Sequence, residues 1–252
     1  MSRGLGDVYK RQEHDVDLIH ECVVKMAKEI SDFMNITPDK QRMDSLMVAA
    51  NIRNLSLLEL FYTCVSNLCK IMNERGTKIP DEQHHYIEKD DYNKCIYHKR
   101  DMDATERTIV VMKDADILIK ICDSTGDFDD TSEYQLLIRL LKEHTIIDDD
   151  GSRRLRQKEE VENPSEVLLN PSDPEATFRY KAGGKHLGYV GNIVESVGEN
   201  GSLIIDYDYQ PNTYADNQFM KDYLKRKKRF FRWFLFCCRW SIQWRKKLTF
   251  SI

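Results

Sequence analysis

The hydrophobic period of this chain changes twice, and those changes fix where helices and strands can occur. From Leu55 to His144 apolar residues recur at three- and four-residue steps. They run through Leu57, Leu58, Phe61, Cys64, Val65 and Leu68, then Ile109, Val110, Met112, Ile117, Leu118 and Ile121, then Leu136, Leu137, Leu140 and Leu141. That spacing aligns them along one side of a helix and predicts helices over 55–72, 105–122 and 134–144, the last with N-cap oxygens at Thr131 and Ser132. The flanks read differently. Lys40–Ala50 is a short, unpunctuated, partly apolar run around a lone Asp44, the mark of a strand. Thr177–Lys181 reads as another strand. Gly188–Ser196 alternates, with Tyr189, Gly191, Ile193 and Glu195 on one face, and Leu203–Tyr209 alternates through Leu203, Ile205 and Tyr207. Between them Glu199-Asn200-Gly201 signals a hairpin, because Asn-Gly suits the positive φ angles of a type I′ turn. Residues 15–34 predict an amphipathic helix with Val16, Ile19, Val23, Met26, Ile30 and Phe33 as its apolar side. Ala215–Leu224 predicts another through Phe219, Met220, Tyr223 and Leu224. The charged run from Asp148 to Asn163 reads as a solvated linker. The class implied is α+β: strand, helical block, hairpin, helix.

Composition separates the two ends from the body. At 252 residues the chain has room for one large domain or two small ones. A net charge of −4 argues against an overall basic coat, although a basic groove can sit on an acidic body. The seven cysteines make no CxxC and no zinc spacing, so they read as reduced core thiols. No membrane-spanning run is expected, since Phe230–Cys238 is short and interrupted by Arg232. Residues 1–12 lack both periodicity and a signal-peptide core, resemble translated sequencing adapter, and are set aside as a non-native leader. The tail is the sharper break. All three tryptophans, Trp233, Trp240 and Trp244, lie there, and Lys225–Ile252 holds ten Lys or Arg and no acid. The remainder keeps 28 basic residues against 42 acidic ones. The genetic code offers a cause. Read one base later, the codons of Cys237 to Trp244 can encode Val-Ala-Asp-Gly-Ala-Tyr-Ser-Gly, and both glycines are forced because each comes from a Trp codon. The tail then reads as an out-of-frame translation whose missing Asp overlaps Arg239.

Three blocks carry a family resemblance: QRMDSLMVAANIRNLSLLEL (Gln41–Leu60), TSEYQLLIRLLKEH (Thr131–His144) and the long NPSDPEATFRYKAGGKHLGYVGNIVESVGENGSLIIDYDYQPN (Asn170–Asn212). They resemble bacterial insertion-sequence transposases of the DDE class, a resemblance that spans residues 13–224, most of the chain. The resemblance implies an incomplete ribonuclease H-like core from 39–50 and 171–224, with an N-terminal helical segment over 13–38. A helical insertion over 51–170 would follow the first strand, and 225–252 would be the out-of-frame tail. It implies two Mg²⁺ ions held by two Asp and one Glu, hard oxygen ligands suited to an in-line displacement at phosphorus. Water would first free a 3′-OH at the transposon end, and that hydroxyl would then attack target DNA. Asp44 matches the first catalytic and metal-binding Asp. The second is lost at Arg239 and the Glu would lie beyond Ile252, so the chain as written is expected to be inactive. The partners implied are transposon-end and target DNA and, in the intact parent, a second copy, in the bacterial cytoplasm. Arg179, Lys181 and Lys185 are the DNA-contact candidates, around a Lys-Ala-Gly-Gly-Lys turn that lets backbone approach phosphate.

Other acidic and histidine groupings have simpler readings. Asp123, Asp127, Asp129 and Asp130 miss the EF-hand spacing and fit a solvated loop. Asp173 beside Pro171 and Pro174 fits a turn, and His84-His85 fits a surface pair. A rival reading of the whole is a non-enzymatic protein that docks on nucleic acid or membrane through the basic, aromatic tail.

Overall fold

The computed structural model describes residues 17–36, 40–98, 102–181 and 183–227. The leader, the tail past Lys227 and the Arg239 position lie outside the described residues. In chain order the main elements are α1 (Leu18–Met34), β1 (Gln41–Ala49), α2 (Leu57–Glu74), α3 (Ala104–Thr125), α4 (Ser132–His144), β2 (Thr145–Ile147), β3 (Arg153–Leu155), β4 (Thr177–Lys181), β5 (Gly184–Gly198), β6 (Gly201–Pro211) and α5 (Asp216–Lys227). The chain is therefore α+β with antiparallel sheets. It divides into two compact units, 1–48 with 189–252, and 49–188. Residues 171–188 thus group with the helices rather than with the rest of the expected core.

In the first unit β5 lies between β1 and β6. The Val197 amide donates to the Lys40 carbonyl at 2.9 Å, and Asn192 Nδ2 donates to Ser45 Oγ at 3.0 Å, so β1 runs antiparallel to β5. On the other side Ile193 pairs with Tyr207 and Val194 with Asp206, with a bulge after Val194. α5 covers one face. Met43, Val190, Val194, Phe219 and Tyr223 make its core, and the Tyr223 hydroxyl donates to Gln41 Oε1 at 2.8 Å. Full burial of such side chains is worth roughly 1.5–3 kcal/mol each as an upper bound.

Two local expectations change here. The apolar stripe of α1 does not face the core: Ile19, Met26, Ile30 and Phe33 are exposed, Phe33 at 88%. The helix packs along β6 by another side, where Ala27 is buried and His20 bonds Asp206 at 2.7 Å. Small Ala27 and a polar anchor at His20 win over apolar periodicity. The hairpin tip also differs. Glu199 and Asn200 sit between paired Gly198 and Gly201, and among the described residues Asn35 is the non-glycine with positive φ. No type I′ turn forms. Gly201 takes φ 132°, and Asn200 Nδ2 donates to the Met34 carbonyl at 3.1 Å.

The second unit is built around α2. Ser56 and Glu59 close a capping box at its start, as Asp103 and Glu106 do for α3. Phe61, Val65, Leu68, Cys69 and Met72 of α2 join Met112, Leu118, Leu137 and Leu140 in a fully buried core. Thr131 occupies the N-cap of α4, but its hydroxyl donates to the Phe128 carbonyl at 2.7 Å instead of accepting from the helix. The charge run after α4 is not a plain linker. β2 and β3 pair across the loop 148–152, where Gly151 has φ 81°, and Arg153 bonds Asp116 while Arg154 bonds Glu160. Ion pairing on a short hairpin orders what composition alone reads as solvated.

Candidate functional site

Asp44 stands on β1 between buried Met43 and half-buried Ser45, and is itself exposed. Strand alternation sends its carboxylate to the sheet face away from α5, because Met43 belongs to the α5-facing core. The β1–β5 register sets it opposite Ile193, which pairs onward with Tyr207. Beyond it Leu46 and Val48 are exposed and close over Gly191, where an added Cβ would meet Val48 Cγ2 at 3.3 Å. Gly191 thus keeps that face flat.

The acids on β5 and β6 are committed elsewhere. Glu195 shares the Asp44 face, but Ser202 and Arg42 both bond it, and in that order they hold its carboxyl below the usual range. Asp206 and Asp208 pair with Val194 and Asn192, which puts them on the α5 side. There Asp206, with its side chain 3% exposed, meets His20 at 2.7 Å, Arg226 at 3.6 Å and Lys227 at 3.5 Å, while Asp208 binds Arg226 at 2.7 Å. Burial opposes the Arg226 charge, but the bond to Asp208 and the charges of Asp206 and Asp208 outweigh it and raise its pKa. Asp222 takes bonds from Tyr214, Gln218 and Lys225. Among the described residues no three His, Cys, Asp or Glu side chains gather to hold a metal. A lone Asp44 carboxylate does not fit a pair of Mg²⁺ ions.

The three DNA-contact candidates fall on one hairpin in the second unit. β4 and the start of β5 pair Phe178 with Leu187, Arg179 with His186, Tyr180 with Lys185, and Lys181 with Gly184. The structure therefore divides the candidates. Lys185 shares a face with Phe178 and Tyr180, whereas Arg179 and Lys181 share the opposite one with His186. Lys185 Nζ sits 4.2 Å over the Phe178 ring, and Tyr180 meets that ring edge-on at 5.9 Å. Tyr180, which is not among the residues expected from sequence, joins them on this hairpin. The period-two spacing of Phe178 and Tyr180 was the available signal.

The remaining groupings are structural. His85 is not a bare surface residue: its Nδ1 bonds Asp91 at 2.8 Å, and the Tyr62 hydroxyl donates to the same carboxylate at 2.6 Å. Burial first, then the Asp91 bond, raises the Tyr62 phenol. Tyr86 and Gln83 both donate to Asp114. A pocket of about 510 Å³ is lined by Arg53, Glu59, Tyr97 and Arg107. Its cations are engaged, Arg53 with Glu59 and Tyr97, Arg107 with the carbonyls of Cys95 and Ile96. Burial pushes Glu59 up, but bonds from Ser56 and Tyr92 and the Arg53 charge leave it below the usual range. Asp123 accepts from Tyr134, and Asp130 lies 3.6 Å from Arg75, so the acidic run does not converge. Asp173 sits in a turn whose amide donates to the Asn170 carbonyl at 3.2 Å. No helix among the described residues is long and apolar enough to cross a membrane. Compared with protein families, with curated proteins and with solved structures, the chain matches none.

Proposed function

We propose that this chain is a fragment of a DDE-class transposase, broken by a shift of reading frame, and inactive as written. The observation that carries the reading is Asp44, exposed on β1 and turned to the sheet face away from α5. Two further features support it. β1, β5 and β6 run antiparallel with β5 between the other two, and α5 follows on one face, in the order that opens a ribonuclease H-like core. Among the described residues of the first unit β1 pairs with β5 alone, which leaves an edge for the fourth strand. That strand would come from the shifted frame, with its Asp at the Arg239 position. The intact parent would use Mg²⁺ and DNA, as a pair of copies, in the bacterial cytoplasm. The rival reading, docking through the basic tail, rests on residues outside the described ones.

The test is to sequence the parent DNA across codons 220–252 and beyond, then express the frame-restored protein. The expected product carries Asp at 239 and cleaves transposon-end DNA only with Mg²⁺, and Asp44→Asn abolishes that cleavage. A shifted frame that closes at once, or Mg²⁺-dependent cleavage by the present chain, would refute the proposal.

A further inference from the structure

Tyr180 is 72% exposed, and the hairpin that carries it has no acidic residue from Ala176 to Gly188. A single exposed aromatic is ordinarily unremarkable on a protein surface. Its surroundings here are not ordinary. Cross-strand pairing sets Lys185 directly beside it, and Phe178 braces its ring from the side. Lys185 in turn is held over Phe178, so its ammonium rests on the ring that braces Tyr180. Arg179 and Lys181 add positive charge on the reverse of the same two strands. A fixed aromatic plane flanked by lysine, on an acid-free hairpin, matches the two demands of an unpaired nucleotide: a flat partner for the base and a cation for the phosphate.

We infer that the β4–β5 hairpin seats single-stranded DNA, with an unpaired base stacked on Tyr180 and its phosphate held by Lys185. This rests on the reading of DNA as the partner and adds which form of DNA the hairpin takes. A duplex keeps its base faces covered by neighbouring pairs and offers Tyr180 only its backbone. The hairpin therefore discriminates by stacking, while its charge acts on either form.

The experiment is fluorescence anisotropy of the full chain with a labelled oligothymidylate and with a duplex of the same length. Variants are Tyr180→Ala, Tyr180→Phe and Lys185→Gln. Tyr180→Ala weakens single-strand binding roughly tenfold, within the range for loss of one stacked base. It leaves duplex binding unchanged, and Tyr180→Phe keeps the parent affinity. Lys185→Gln lowers the slope of log affinity against log salt by about 0.7, one phosphate contact on a single strand. Photo-crosslinking of bromodeoxyuridine-substituted oligonucleotide then maps to the peptide holding Tyr180. If the chain binds the oligonucleotide and Tyr180→Ala changes neither affinity nor crosslink, the stacking seat is refuted while DNA remains the partner. Crosslinks confined to 228–252 would refute the seat in the same way. No binding of either DNA form refutes both.

Discussion

Replacing Asp206 by Asn is the most informative perturbation of the first unit, because one buried carboxylate ties α1 and α5 to β6. Its side chain is 3% exposed, is hydrogen-bonded to His20 at 2.7 Å and forms ion pairs with Lys227 at 3.5 Å and Arg226 at 3.6 Å. The short bond to His20 is worth about 1.5 kcal/mol, the low end for a hydrogen bond to a charged group, because the His20 side chain is itself 26% exposed. The two longer contacts involve cations 30% and 40% exposed, so solvent screens them to about 0.5 kcal/mol each. Arg226 keeps Asp208 at 2.7 Å, which limits the loss further. The expected cost is about 2 kcal/mol. Urea unfolding followed by circular dichroism reads it as a lower midpoint at unchanged slope. A double-mutant cycle with His20→Ala should return about 1 kcal/mol of coupling, since the pair is in direct contact. An Asp206→Asn midpoint equal to the parent's, or a coupling near zero, would refute the claim that this carboxylate anchors α1.

Three other outcomes are expected. Phe33→Ser changes stability by less than about 0.5 kcal/mol, as for exposed positions generally, and a core-sized loss by urea unfolding would mean the α1 stripe is buried after all. Cys22 is exposed, whereas burial pushes the Cys64 and Cys69 thiols up to about 12. Mass mapping after brief alkylation of the native protein should therefore find Cys22 modified and those two untouched. Glu195 is held below its ordinary value of 4.5 by Ser202 first and Arg42 second. A depressed carboxyl contributes stability that is present above 4.5 and is lost as pH falls through its folded pKa. Ser202→Ala should shrink the acid-side loss and move the Glu195 carboxyl resonance titration upward, and an unmoved titration would count against the Ser202 bond.

The order of the long helices and strands was legible because helix and strand periods are local properties; the short β2–β3 hairpin, held by ion pairs, was not. The capping pairs Ser56–Glu59 and Asp103–Glu106 also stand three residues apart in the chain, but they emerged with the structure, while the N-cap expected at Thr131 does not form its bond. The site was legible only as residue types. Asp44 could be picked out in β1, and the cations of 179–185 could be grouped, but not sorted by face. What the amino-acid sequence by itself determined is therefore the α+β class, the order of the main helices and strands, and the isolation of Asp44 in a strand. Tertiary structure alone decided that α1 turns Phe33 outward, because a bond between His20 and Asp206 joins residues 186 positions apart. It also decided that Tyr180 stands beside Lys185, because cross-strand register is set by the pairing of two strands and not by either one. Period records which residues share a side; only packing and pairing choose what that side meets.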